Sequence, residues 1–590
     1  MRSARGVGVF ALLGAAAAAG LPASAASAAV VPPPPGAIVV GVSGAACPAP
    51  AFATITAAVA AAPADSVIYV CAGLYAENVQ ITKNLTLLGA QFGVDARTGR
   101  TNPAEETIVS SPSGEFRYSG TATTGVIDGF TLRGTPSSGD DDGIVAIDNP
   151  GAGYTWINNI ITGNTTGINF KATGAVPTLI SRNRITNNTA AGSSSGNGIF
   201  FTNGPANNVT ISDNAFAGNS PAINTTGAGD GTTRSQNLTI TGNTSVDDVN
   251  FVALFLAQHV RITGNTIRWT NPNDTAAGSA LYLSGGNNDV TVADNTIDGG
   301  AASGINLNNI SYSGNPSSAV RITGNTITRR LNGIRVPAST NAGPVATDVT
   351  ISGNRISDAG VGDTVPGPAA GGNGIWLQGG SQFTVTGNTA LTSVSTDCRD
   401  ETTGGGTAGT ANNWTNNTGV TSFPAGLCTR PANPSITGVI SATSVTVGGK
   451  LSQTVTVTGT GGKPGTLTWR LLGPVPPIHG SCADVDFGAA PVLSSGTVPV
   501  TGDGSYTVPT THVSKAGCYT FTDTLTGPDY TSSASIPPGD PSNTALAVAK
   551  ILPVTGSHPA IPLTLAFTSA ALIAVGVLLR WTTRTRPTLV

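Results

Sequence analysis

The heptapeptide Arg261-Ile262-Thr263-Gly264-Asn265-Thr266-Ile267 returns letter for letter at Arg321 to Ile327, and looser copies run from Trp156 to about Asn388. The Asn that closes each copy falls at Asn159, Asn183, Asn214, Asn243, Asn265, Asn295, Asn325, Asn354 and Asn388. The shortest interval, Asn243 to Asn265, is 22 residues, and the longest, Asn354 to Asn388, is 34. Self-similarity at such a period means stacked units that bury a continuous core between neighbours.

Each copy pairs this motif with an upstream piece, Gly167-Ile168, Gly198-Ile199, Gly304-Ile305, Gly333-Ile334 or Gly374-Ile375, with Ala253-Leu254 and Ala280-Leu281 as variants. Both pieces alternate β-branched and polar residues, which predicts short strands with one buried face. Gly and Asn between them supply the φ > 0 corners that turn one strand into the next. Identical side chains then stack about 4.8 Å apart, and Asn amides bond along the stack. On these residues the chain resembles the right-handed parallel β-helix of the pectin-lyase-like superfamily, over residues 40–433 with an N-terminal cap. The resemblance implies an all-β solenoid. Within the cap, Gly73-Leu74-Tyr75-Ala76-Glu77-Asn78 resembles the opening of pectin methylesterases. The segments that carry the catalytic Asp and Arg of that family have no counterpart here, and polygalacturonase-like marks are missing too.

The two ends predict where the chain goes. Residues 1–28 combine Arg2 and Arg5, an apolar run from Val7 to Leu21 and a small-residue Ala26-Ser27-Ala28 site, the pattern of a secretory signal peptide. A Pro-rich linker occupies 29–39. From Pro434 the repeat gives way to alternating strands between Gly and Pro turns, which predicts a β-sandwich over 434–548. Its His512 to Phe521 stretch resembles stalk modules of Gram-positive surface proteins. Residues 549–590 hold Leu552-Pro553-Val554-Thr555-Gly556, an uncharged run from Ile561 to Leu579 that is nearly long enough to span a bilayer as a transmembrane helix, and then Arg580, Arg584 and Arg586. This resembles the LPxTG sorting signal. The resemblance implies a sortase as partner, cleavage after Thr555 and covalent transfer of Thr555 to peptidoglycan at the cell wall, with the membrane engaged only by the sorting helix before cleavage.

Export makes the six Cys disulfide candidates, and they group locally as Cys47 with Cys71, Cys398 with Cys428, and Cys482 with Cys518. No two Cys are spaced as zinc ligands, so neither a metal nor another cofactor is expected. The run Gly139-Asp140-Asp141-Asp142-Gly143 reads as a solvated loop, with a calcium site or an acid pair as the rival. A net charge of −3 predicts no nucleic-acid partner.

Only 5% of residues are aromatic, yet aligning the repeats puts several in one outward column. It reads Asn169, Phe200, Asn224, Phe255, Tyr282, Asn306, Arg335 and Trp376. Of these, Phe200, Phe255, Tyr282, Asn306, Arg335 and Trp376 are candidate glycan-binding residues, because flat rings between amides suit sugar faces and hydroxyls. The rival is that loops cover the rings as a satellite core. The column holds no carboxylate, whereas glycoside hydrolysis normally needs two. A second set, Arg268, Asp298, Arg329, Arg330 and Asp358, is the fallback catalytic site, although opposite charges one coil apart are most simply a surface ion-pair ladder. The sequence therefore predicts a wall-anchored, adhesin-like protein whose β-helix binds a polysaccharide or another surface ligand without catalysis. The alternative is a wall-tethered carbohydrate-active enzyme: a polysaccharide lyase, a pectinesterase-like enzyme or a glycoside hydrolase.

Overall fold

The computed structural model describes residues 30–550 apart from 45–46, 136–140, 150, 191–195, 226–232, 271–277, 309–315, 340–345, 361–370, 528–529 and 531. The signal segment, Asp140 and the sorting motif Leu552 to Gly556 with its apolar run lie outside the described residues. Among the described residues no helix is long and apolar enough to cross a membrane. The chain forms two compact units, one running through Asn433 and the other taking in Pro434–Thr458, Gly465–Thr526 and the chain from Ser533.

The first unit is a parallel β-helix. Each full coil lays down three strands, as in Leu281–Leu283, Asn288–Ala293 and Thr296–Asp298, and each strand pairs in parallel with its counterparts in the neighbouring coils. Alternation sends every second side chain inward. Ile240, Ile262, Val292, Ile322, Ile351 and Val385 thereby form one buried row through six successive coils. Ile262 and Ile322 are thus two coils apart, with Val292 in the coil between them, where the letter-for-letter repeat is broken.

The repeated heptapeptide is the corner between the second and third strands. Gly264 and Gly324 sit there with φ of 64° and 65°, a left-handed conformation that costs Gly little. The Asn that follows is buried and uses its whole hydrogen-bonding capacity. Asn295 donates from Nδ2 to Asn325 Oδ1 (2.9 Å) and to Ile262 O (2.9 Å), while its own Oδ1 accepts from the backbone N and Nδ2 of Asn265 (3.0 and 2.9 Å). The same bonds repeat from Asn159 to Asn417. A shorter ladder runs Asn164, Asn188, Asn219 and ends on Asp248.

The N-terminal end is closed by the helix Ile55–Ala61, whose Ile55, Ala58 and Val59 are buried. Glu77 accepts from the backbone N–H of Ile55 (2.9 Å) and Thr56 (2.8 Å), placing a carboxylate at the helix start where the dipole favours it. The Tyr75 hydroxyl donates to Cys71 O, and Asn78 Nδ2 donates to Ser113 O and Gly114 O. Tyr75, Glu77 and Asn78 are therefore occupied in holding this end together.

The second unit holds two sheets. Ser435–Ile440, Lys450–Thr458 and Gly504–His512 pair antiparallel. The other sheet orders Ser444–Thr446, Thr544–Val548, Gly517–Thr526, Gly465–Val475 and Val492–Val500, with Ala534–Ile536 beside Gly517–Thr526. Gln453 of the first sheet donates to Asp523 of the second at 2.7 Å. Disulfides join Cys47–Cys71, Cys398–Cys428 and Cys482–Cys518, the pairing expected from their grouping.

Candidate functional site

A cleft of about 500 Å³ opens over the first strands of the middle coils. Asn224, Ala253, Tyr282, Asn306 and Arg335 occupy successive positions along its floor, each directly paired with the next. The register corrects the expected column at one position. Phe255 is not in it; Ala253 is, because the strand Val252–Leu254 places Phe251, rather than Ala253, at the small-residue position that Ala280 fills one coil later. Phe255 instead follows the strand and lies beside Tyr282, with ring centroids 5.8 Å apart and planes at 53°. Both rings line the cleft and are half-buried.

Polar groups stand around these rings. Asn306 donates to Ser279 Oγ (3.4 Å) and Asn224 donates to Asn197 Oδ1 (3.0 Å), but the Oδ1 atoms of both accept nothing from the described residues. Asn332 lines the same cleft with an Nδ2 that has no partner among the described residues. Buried polar atoms without partners are costly, so this lining offers two acceptors and a donor to a hydroxyl-rich ligand. The Tyr282 hydroxyl accepts from Asn308 Nδ2 (3.3 Å), and burial raises its pKa. Asn332 was not among the expected site residues. Its signal was the Asn-Gly-Ile that opens both Asn332–Val336 and Asn373–Leu377, where the two Asn amides bond each other.

The ends of the column differ from expectation. Trp376 is only 3% exposed and presents no open ring: Arg335 covers it at 4.7 Å and Arg399 at 5.2 Å from the ring centroid. Arg335 also donates through Nε and Nη2 to Gln378 Oε1 (3.1 and 2.9 Å), and burial lowers its pKa. Phe200 is likewise buried, beside Asn169 in the preceding coil. Tyr282, Asn306 and Arg335 are therefore brought together in the cleft, with Phe255 at its edge. Phe200 and Trp376 stand outside its lining.

The fallback catalytic set divides. Arg268, Asp298 and Thr328 are in register on third strands, and Arg329 lies just beyond. Arg329 Nε and Thr328 Oγ1 bond the Asp298 carboxylate at 2.8 and 2.6 Å. Partial burial opposes its ionisation, but the bonds from Arg329 and Thr328 outweigh it and hold the carboxyl below the usual range. Asp358 accepts from Thr392 one coil further on. Arg330 does not belong to this surface ladder. It is fully buried, donates to the carbonyls of Gly278, Gly299, Ala302 and Ser303, and is pushed down to about 9 by burial.

Asp141 and Asp142 are not solvated. Asp142 begins a strand, and both are buried near Glu115, because the chain after the Gly-Asp-Asp run turns straight into the core-facing strand Asp142–Ala146. Glu115 Oε2 and Asp141 Oδ1 have no hydrogen-bond partner among the described residues. Desolvation, then the charge of Asp141, pushes Glu115 well above the usual carboxylate range. Among the described residues no three His, Cys, Asp or Glu side chains are placed to share a metal ion.

Residues 218–419 match a family described as "Protein of unknown function (DUF1565)", and residues 98–271 match one described as "Periplasmic copper-binding protein (NosD)". Copper sites draw on thiolate, thioether and imidazole donors. Here every Cys is in a disulfide and the single Met is residue 1, so the described residues do not fit such a site. No curated protein matches the chain. Among solved structures, the catalytic unit of a GH87 α-1,3-glucanase from Streptomyces thermodiastaticus is similar at 16% identity over 68% of this chain and 69% of that one, with a TM-score of 0.39. A tailspike protein of E. coli bacteriophage HK620, in complex with a pentasaccharide, is similar at 11% identity over 76% and 84%, with a TM-score of 0.26. Similarity at this level says nothing about what the chain binds.

Proposed function

We propose that the chain is an exported surface protein, joined to the cell wall through Thr555, whose β-helix holds a saccharide in the cleft over its middle coils without cleaving it. The second unit serves as the stalk. What carries the reading is the lining of the cleft: two adjacent rings, Phe255 and Tyr282, among amide atoms of Asn224, Asn306 and Asn332 that have no partner among the described residues. A sugar needs an apolar ring face beneath it and hydrogen-bond partners around its rim, and this cleft supplies both. Its described lining holds no Asp or Glu, which favours binding over acid–base hydrolysis.

The experiment is a glycan-array and depolymerisation screen of residues 29–548. Retention of defined saccharides without release of new ends supports the reading. Accumulating reducing ends or unsaturated products, stopped by Arg329→Ala or Asp298→Ala, would replace it with the enzyme.

A further inference from the structure

A second, smaller cleft of about 240 Å³ lies on a different face and on earlier coils. Its floor is three adjacent third strands, Phe130–Arg133, Ile160–Thr162 and Arg184–Thr186, paired so that Thr131, Ile160 and Arg184 form one row and Arg133, Thr162 and Thr186 the next. Leu132, Ile161 and Ile185 between them point into the core, which turns the other side chains outward. The segment from Arg100 to Glu106 forms one wall.

The charges in this cleft do not balance. It is lined by three arginines, Arg100, Arg133 and Arg184, and one carboxylate, Glu106. Glu106 is fully engaged: Arg100 Nε bonds its Oε1 at 2.9 Å, and Arg100 Nη2 and Thr131 Oγ1 bond its Oε2, the latter at 2.7 Å. Arg184 is half-buried and bonds no carboxylate among the described residues, although the Glu106 charge acts on it; its one hydrogen bond among them is a long 3.5 Å contact to Arg100 O. Burial, reinforced by the charge of Arg100 and only partly offset by that of Glu106, lowers its pKa. Arg133 has no hydrogen-bond or ion-pair partner among the described residues. Within the second row, Thr162 Oγ1 accepts from Thr186 Oγ1 at 3.0 Å, which leaves the Thr162 proton free for a ligand.

We infer that this cleft binds a phosphoryl group, with Arg184 and Arg133 bonding its oxygens from two sides and the Thr162 hydroxyl donating between them. A lining with two more guanidinium groups than carboxylates suits a doubly charged tetrahedral anion, and guanidinium forks bond such oxygens in pairs. The space exceeds a bare ion and accommodates a small group esterified to it. The inference is independent of the saccharide reading, because no residue is shared between the two clefts.

The test is calorimetric titration of the full chain with inorganic phosphate and with glycerol phosphate, against chloride at matched ionic strength. Saturable binding of either is expected. Arg184→Gln and Arg133→Gln each weaken it by about tenfold or more, the scale of a charge-assisted hydrogen bond. Arg321→Gln, which removes a surface ion pair to Asp348, leaves it unchanged. Tighter binding of glycerol phosphate identifies an esterified phosphate as the natural ligand, and tighter binding of inorganic phosphate identifies the free ion. No saturable heat above chloride, or equal binding by wild type and both Gln variants with their melting curves intact, overturns the inference.

Discussion

The Asp248 carboxylate accepts both the backbone N–H of Asn219 (2.7 Å) and its side-chain Nδ2 (2.8 Å), so an acid stands where the three preceding coils place asparagine. Its other oxygen accepts from Ser245 Oγ at 2.7 Å. Despite these bonds, burial dominates and pushes its pKa up to about 7.

That shift sets a pH dependence with a definite sign. Between the ordinary Asp value of about 4 and about 7, the unfolded chain has lost this proton while the folded chain keeps it, so stability falls as pH rises through the window. Asp248→Asn keeps the acceptor for Asn219 and removes the ionisation. We expect the variant to melt higher than wild type at pH 8, by a difference worth a few kcal/mol at most, and to converge with it near pH 4. Parallel melting-temperature profiles across that range would show that Asp248 does not titrate as described.

Ile322 is fully buried between Val292 and Ile351 of the neighbouring coils. Replacing it by Asp strands a charge in the core and is expected to cost about 4 kcal/mol or more. Ile322→Val removes one methylene and is expected to cost about 1 kcal/mol. Chemical denaturation of both variants checks the ordering, and an Asp variant as stable as the Val variant would place this side chain outside the core.

The two column aromatics Tyr282 and Trp376 are expected to behave differently. Tyr282 is half-buried in the cleft, so Tyr282→Ala should weaken saccharide binding by about 1 to 2 kcal/mol with little change in melting. Trp376 lies beneath Arg335 and Arg399, so Trp376→Ala should lower stability by about 3 kcal/mol or more. Paired binding and melting measurements separate the two, and the assignment fails if Trp376→Ala leaves the melt untouched.

Anchoring is expected to depend on Thr555, the acyl donor implied by the LPxTG motif. Thr555→Ala should move the protein from the covalently bound wall fraction to the membrane fraction. Wall attachment that survives boiling in detergent in this variant would exclude the sortase route.

The repeat was legible because the corner tolerates so few side chains. A buried amide must find partners above and below it, and Asn in both neighbouring coils supplies them, so the letter recurs. The β-branched rows were legible for a similar reason, since alternation alone exposes one face. The cleft was harder to read. Ala253 mimics the small residue that opens other coils, which displaced the expected column onto Phe255, and only the strand pairing reveals that Phe251 fills that place. Trp376 read as exposed because its covers, Arg335 and Arg399, are 41 and 23 residues away along the chain and become neighbours only once the coils stack. The Asp141-Asp142 pair looked like a solvated turn because composition cannot say that Asp142 begins a buried strand.

Ladder asparagines 22 residues apart and 34 residues apart make amide bonds of 3.0 and 2.9 Å. The corner therefore does not register how much chain separates one visit from the next. Length can be gained or lost in any coil without disturbing its neighbours, provided the Asn returns to its place. Such a scaffold separates what must be kept from what is free to vary: the amide row acts as a ruler, and the outward segments are its unconstrained margin, open to revision one coil at a time.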